Sequence, residues 1–143
     1  MTRPTRARVR VLAWLTAAAA LAAGCSRSPN VAYARLLDQT ASWAAAIDFA
    51  GAQLQAGDVP RAYFEDLVRH ASREVNAARP KLQEADGISS STRAEAAKLS
   101  QRLASLIASS SPDFVDSAAE LRAAETALRT LADSVRLGES GAP

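Results

Sequence analysis

The feature that most limits the fold of this chain is a set of apolar stripes with helical spacing. In the first stripe, apolar and small side chains recur every three or four positions, as on one face of a helix. Its members are Tyr33, Leu36, Leu37, Thr40, Trp43, Ala44, Ile47, Ala50 and Leu54. No stretch of the sequence alternates with the period of a strand, so the pattern predicts an all-α fold.

Three further stripes follow, and each predicts another helix. Their members are Phe64, Leu67, Ala71, Val75, Ala78 and Leu82; Ala96, Leu99, Leu103, Leu106 and Ile107; and Phe114, Ala118, Leu121, Ala124, Leu128, Leu131 and Val135. Because the connections between stripes are short, we expect an antiparallel, up-down-up-down four-helix bundle over residues 31–137. The alternative is a three-helix bundle with a short lid helix.

Glycine and proline mark the predicted turn between the first two helices. Gly57 should end the first helix, which we expect over residues 30–56. Asp58 is then the predicted cap of the second helix, with Pro60 tolerated in its first turn.

The remaining helix ends are predicted from similar local signals. Pro80 should kink the second helix or end it near Arg79, because proline lacks a backbone donor and clashes with the preceding turn. Thr92 and Glu95 have the spacing of a capping box that opens the third helix. We expect residues 138–143 to be a disordered tail.

The first 24 residues carry a different signal. Arginines within the first ten residues precede an apolar run over residues 11–23. A basic segment, a short apolar run and a small-residue end are typical of a secretory signal peptide. The run is too short for a transmembrane helix, which needs about 20 apolar residues. Residues 1–24 are therefore predicted to be a cleaved signal peptide.

The apolar run ends in Leu21-Ala22-Ala23-Gly24-Cys25, and Cys25 is the only cysteine in the chain. This segment resembles the lipobox of bacterial lipoproteins, in which small residues precede a cysteine. The resemblance implies cleavage after Gly24, diacylglycerol on the Cys25 sulfur and, in many bacteria, acylation of the new amino terminus. The third position before the cysteine is usually leucine in the family, whereas here it is Ala22. An ordinary signal peptide followed by a lone cysteine is the alternative.

The same resemblance implies a location. Stable anchoring takes two acyl chains, which a lipidated Cys25 supplies. Residues 25–30 are then a short lipidated tether that holds the helical domain close to the membrane. In Gram-negative hosts, Ser26 in place of aspartate favours the outer membrane, with the domain facing the periplasm.

Removal of the signal peptide reverses the charge of the chain. Four of the 17 basic residues lie in residues 1–24, which leaves 13 against 15 acidic residues and a formal charge of −2. No basic surface remains to neutralise phosphates, so nucleic-acid binding is not expected.

Few patterns in the sequence indicate catalysis. There is a single histidine, and both a glycine-rich phosphate loop and a Gly-x-Ser-x-Gly nucleophile elbow are missing from the sequence. The c-type haem attachment sequence and the Glu-x-x-His motifs of ferritin-like metal sites are missing as well. We therefore expect no enzyme activity and no cofactor other than the covalent lipid on Cys25.

The best candidate for a ligand site is on the predicted second helix. Asp66, His70 and Glu74 are spaced so that two carboxylates flank an imidazole on one helical face. Such a set suits a divalent metal or a pH-sensitive contact. One histidine is a poor basis for a stable metal site, which usually needs three or four ligands. We therefore favour the alternative, a surface ladder of ion pairs.

Phe49 is the candidate contact with a partner. By the 100° step of a helix it lies opposite Leu36 and Ile47, on a face of otherwise small and polar residues. Aromatic side chains often anchor the centres of interfaces. The alternatives are that the bundle buries a second side of the first helix, or that a single exposed phenylalanine has no function.

Together these patterns favour a non-enzymatic lipoprotein whose helical domain contacts another protein of the cell envelope. Two alternatives stay open. One is carriage of a small apolar ligand between alanine-rich helices, and the other is a chaperone-like role in the periplasm.

Overall fold

The computed structural model describes residues 28–112 and 117–138. They form four helices: α1 (Pro29–Ala56), α2 (Arg61–Gln83), α3 (Ser90–Ser109) and α4 (Ala118–Gly138). Over the described ranges the chain adopts helices and turns but no strand. The all-α prediction is confirmed for this part of the chain.

The helices pack as neighbours around one core. The most extensive contacts join α1 to α4 and α2 to α3, and smaller ones join α1 to α2 and α3 to α4. This pattern is consistent with a four-helix bundle. The alternative with a short lid is wrong, because α3 is 20 residues long and buries Leu103 and Ile107 completely.

A single apolar core joins the four helices. Its largest fully buried apolar side chains are Phe64, Leu37, Ile47, Leu82, Leu103, Ile107, Leu121, Leu128 and Val75. Each of the four predicted stripes contributes to this core. The buried hydroxyls of Thr40 and Ser100 donate to carbonyl groups of their own helices, so neither is left without a partner.

The turn between α1 and α2 follows the prediction at Gly57 and departs from it at Asp58. Gly57 has a φ of 80°, the left-handed region that favours glycine, and its N–H donates to the Leu54 carbonyl at 3.1 Å. Asp58 does not cap α2, whose N-cap position is Pro60. With Asp58 as the cap, Val59 would have to be helical. The ring of Pro60 clashes with the residue before it in that conformation, so a helical Val59 is disfavoured.

The second helix does not end near Arg79. It continues through Pro80 to Gln83, so of the two predicted alternatives, a kink at Pro80 or an end near Arg79, the end is wrong. Two contacts secure the last turn: Leu82 is fully buried, and its carbonyl accepts a hydrogen bond from the Tyr33 hydroxyl at 3.0 Å. The N–H that Pro80 lacks would bond to the carbonyl of Asn76, four residues earlier, so α2 continues to Gln83 at the cost of one hydrogen bond in its preceding turn.

The third helix begins earlier than the predicted capping box. Its N-cap is Ser89, whose hydroxyl accepts the Thr92 N–H at 3.2 Å. Thr92 therefore lies inside the first turn, and a capping box of Thr92 with Glu95 is wrong. Ile88 is buried directly before the cap, which favours Ser89 over the hydroxyl residues that follow it.

The fourth helix includes Gly138, which was predicted to begin the disordered tail. Burial of Val135 in the last turn explains why the helix extends this far. The tail residues 139–143 lie outside the described residues, as does Phe114 of the predicted stripe.

Two phenylalanines test the assignment of the core, because Phe64 is fully buried and Phe49 is 67% exposed. Replacing Phe64 by alanine should lower the free energy of unfolding by about 3–5 kcal/mol, since it leaves a cavity in the core. The same change at Phe49 should alter it by less than about 0.5 kcal/mol. Urea unfolding followed by circular dichroism measures both values. Equal losses at the two positions would contradict this core.

Candidate functional site

The predicted lipid attachment site precedes the described part of the chain. Gly24 and Cys25 lie outside the described residues, so their processing stays a prediction. The described chain starts at Ser28, and α1 begins at the next residue, Pro29. The helical domain therefore begins only four residues after the predicted anchor.

Phe49 lies on the outer surface of α1, where 67% of it is exposed. The opposite side of α1 faces the core and buries Thr40 and Ile47. Burial of a second side of α1 is therefore not the explanation for Phe49. Ala45 and Ala52, one turn before and one turn after it, are small, so Phe49 is the only large side chain of these three. We call Ala45, Phe49 and Ala52 the Phe49 face.

The three residues of the predicted ligand ladder make separate contacts. The Asp66 carboxylate accepts a hydrogen bond from Arg69 at the surface of α2. His70 packs edge-on against Trp43 of α1, with ring centroids 5.2 Å apart and planes inclined by 70°. Glu74 faces the groove between α1 and α2. Within residues 28–112 and 117–138, no three histidine, cysteine or acidic side chains form a group that could hold a metal ion.

The pair formed by Trp43 and His70 is an interhelical contact that the sequence did not reveal. Edge-to-face ring pairs contribute about 0.5–1.5 kcal/mol beyond the area they bury. The only sequence evidence for this contact was the position of each residue on its helix. Trp43 lies at the edge of the first stripe, and His70 precedes the buried Ala71. This contact gives His70 a packing role on the α1–α2 side of the bundle.

The cavities between the described residues do not favour carriage of an apolar ligand. A cavity between α1 and α2 has a volume of about 60 Å³, whereas small-molecule pockets are typically about 300–1,000 Å³. A surface hollow of about 490 Å³ is large enough, but polar and charged side chains line it. These are Asp66, Arg69, His70 and Arg73.

Three segments meet at the end of the bundle that carries the start of α1, and we call this the tether end. They are the first residues of α1, the α2–α3 loop over residues 84–89 and the last turn of α4. A hollow of about 250 Å³ between them is lined by Asn30, Gly87, Ile88, Ser89, Thr92, Leu131, Ser134, Val135 and Gly138. Leu137, in the last turn of α4, is 70% exposed.

Tyr33 ties α1 to the last turn of α2 beside the tether end. Its hydroxyl donates to the Leu82 carbonyl, one of the last carbonyl groups of α2, which have no partner within the helix. Burial raises the pKa of Tyr33 above its ordinary value, because the phenolate would lose hydration, and the charge of Arg93 offsets part of this effect.

Two ion pairs join α1 to α4. Arg122 donates to Asp48 through Nε at 2.9 Å, and Arg136 donates to Asp38. These hydrogen bonds raise the pKa of both guanidinium groups. Since water screens exposed ion pairs, each contributes little to stability. The sequence did not reveal these pairs, because the partners are far apart in the chain.

No family model, curated protein or solved structure matches this chain. Among the described helices, none has the length and apolar character needed to cross a membrane. Inference about function therefore depends on the residues of the chain itself.

Replacing Tyr33 by phenylalanine removes the donor to the Leu82 carbonyl and should lower the free energy of unfolding by about 1–2 kcal/mol. The pKa of Tyr33 is raised in the folded protein. The wild type therefore keeps this stabilisation up to the ordinary tyrosine pKa of 10.0 and loses it as the pH rises through the higher folded value.

The Tyr33→Phe variant should lack that alkaline loss. Urea unfolding of both proteins at neutral and alkaline pH measures the difference. If the two free energies of unfolding decline in parallel as the pH rises, the buried tyrosine is not the cause.

Proposed function

We propose that this chain is the precursor of a bacterial lipoprotein, and that its mature form is a non-enzymatic helical domain that contacts another envelope protein. One observation carries the proposal: Cys25, the only cysteine, directly follows the basic segment and apolar run of residues 1–24. The start of α1 at Pro29 supports it, because the folded domain begins just beyond the proposed attachment site.

The proposed location is the cell envelope, where lipid on Cys25 anchors the domain to the membrane. If the host is Gram-negative, Ser26 supports the outer membrane, with the domain facing the periplasm. The mature chain has a formal charge of −2, so it is not attracted to anionic lipids as a polybasic protein is. Membrane affinity then depends on the acyl chains, which suffice when there are two or more.

The proposed order of the helices is up-down-up-down. An ion pair between Asp38, in the first half of α1, and Arg136, near the end of α4, supports an antiparallel arrangement of these two helices. The hydrogen bond from Tyr33 to Leu82 supports the same arrangement for α1 and α2. Both contacts lie towards the tether end of the bundle.

We propose the Phe49 face as the contact with the envelope partner. Phe49 is 20 positions beyond Pro29, which corresponds to about 30 Å along a helix with a rise of 1.5 Å per residue. The Phe49 face is therefore well separated from the proposed anchor. This distance leaves it accessible to a second protein. A protruding aromatic ring between small neighbours is a common anchor at interfaces.

The anchor is tested by replacing Cys25 with serine, which leaves no thiol to accept diacylglycerol. The variant should lose a metabolically incorporated fatty-acid label and move from the membrane fraction to the soluble fraction. A Ser26→Ala variant, which keeps the cysteine, serves as the matched control and should stay labelled and membrane-bound. An unlabelled wild type, or a labelled Cys25→Ser protein, would contradict the proposal.

The partner contact is tested by crosslinking in the native membrane, followed by mass spectrometry. Replacing Phe49 by alanine should reduce the yield of the crosslinked complex about tenfold or more, as expected for a central anchor of an interface. Tyr63→Ala is the control, because Tyr63 is also an exposed aromatic residue, at 55%, but lies on α2. A complex that survives Phe49→Ala, or depends equally on Tyr63, excludes the Phe49 face as the contact.

A further inference from the structure

We propose that the tether end of the bundle rests on the lipid surface, with Leu137 inserted at the level of the headgroups. The inference deepens the proposed function and depends on the lipid anchor at Cys25. It concerns the orientation of the domain, which the anchor alone leaves open.

The short tether limits how far the domain can stand from the membrane. Three peptide units join Cys25 to Ser28, and an extended chain spans at most about 3.6 Å per residue, or about 11 Å in total. The headgroup layer on each side of a bilayer is about 5–8 Å thick. The start of α1 is therefore held within a few ångströms of the headgroups.

The start of α1 does not approach the membrane alone. Gly87 of the α2–α3 loop lies directly against Pro29, since a Cβ at Gly87 would be 3.4 Å from the Pro29 Cβ. The hollow of about 250 Å³ brings Asn30 together with residues of that loop and of the last turn of α4. The start of α1, the loop and the end of α4 therefore lie side by side at this end of the bundle.

The side chains at the tether end suit a layer of lipid headgroups. Asn30, Ser89, Thr92 and Ser134 are the polar residues of the hollow, and Ile88, Leu131 and Val135 lie beside them. The hydroxyls of Ser89, Thr92 and Ser134 already form hydrogen bonds within the protein, so they make this end polar without needing a partner from the lipid. Leu137 adds a large apolar side chain that is 70% exposed in the last turn of α4. An apolar residue amid polar groups matches the boundary between headgroups and acyl chains.

The charges near this end do not indicate attraction to anionic lipids. Arg136 forms ion pairs with Asp38 and Asp133, so its charge is already compensated. The exposed loop residues Glu84 and Asp86 are acidic, and Lys81 in the last turn of α2 and Arg93 in the first turn of α3 are basic, so charges of both signs are present. The contact should therefore form on neutral phosphatidylcholine as well as on phosphatidylglycerol.

Fluorescent labelling of single cysteines tests the orientation. Lipid on Cys25 leaves the mature protein without a free thiol, so Leu137→Cys introduces one labelling site, and Phe49→Cys provides the matched control. Both positions are exposed, so neither change should disturb the core. Each lipidated variant is labelled with a polarity-sensitive nitrobenzoxadiazole dye and reconstituted into phosphatidylcholine vesicles that contain headgroup-level nitroxide lipids.

The dye at position 137 should emit at shorter wavelength and be quenched severalfold more strongly than the dye at position 49. Equal quenching at both positions, or a contact that requires phosphatidylglycerol, would overturn the inference. In that case, lipid on Cys25 measured by mass spectrometry would leave the proposed anchor standing. If the same measurement finds no lipid on Cys25, the anchor and the inference fail together.

Discussion

Burial of α1 along most of its length is the constraint on which the rest of this structure depends. Its core-facing side buries Tyr33, Leu37 and Ile47 together with several alanines. It packs most extensively against α4. Small side chains on α1 allow close approach of the neighbouring backbones, while leucines of the other helices fill the space between them. Because α1 is helical and packed from its first turn, no long flexible segment separates the bundle from the proposed anchor. Under the proposed anchor, the packing that forms the core would also limit the distance between the domain and the membrane.

The helices were predictable from the sequence, whereas several of their ends were not. Stripes such as the one from Phe64 to Leu82 depend only on helical periodicity, so they identify the buried faces without knowledge of the neighbours. Helix ends depend on choices among adjacent residues that tertiary contacts decide. Burial of Ile88 favours Ser89 as a cap, and the bond from Tyr33 helps α2 continue past Pro80. Several residues in the sequence could cap or end each helix, and the sequence alone does not decide which of them does.

The same distinction applies to the candidate functional residues. The position of Phe49 opposite the predicted core face followed from its angle on one helix, whereas its exposure depended on whether the bundle buries a second side of α1. The ring pair of Trp43 with His70 and the ion pair of Arg122 with Asp48 join different helices. Their formation depends on how the helices rotate and slide against one another, which no single stripe specifies. The proposed anchor differs from both groups, since it depends on a linear sequence pattern around Cys25 and not on contacts between helices.

The central claim about this protein is that Cys25 becomes its lipidated first residue, and intact-mass spectrometry of protein purified from its own membranes tests it most directly. The account predicts a chain that begins at Cys25 and whose mass is increased by a diacylglyceryl group, with or without a further acyl chain on the amino terminus. A mature chain that carries no lipid, that retains residues 1–24, or that starts at another position would contradict it.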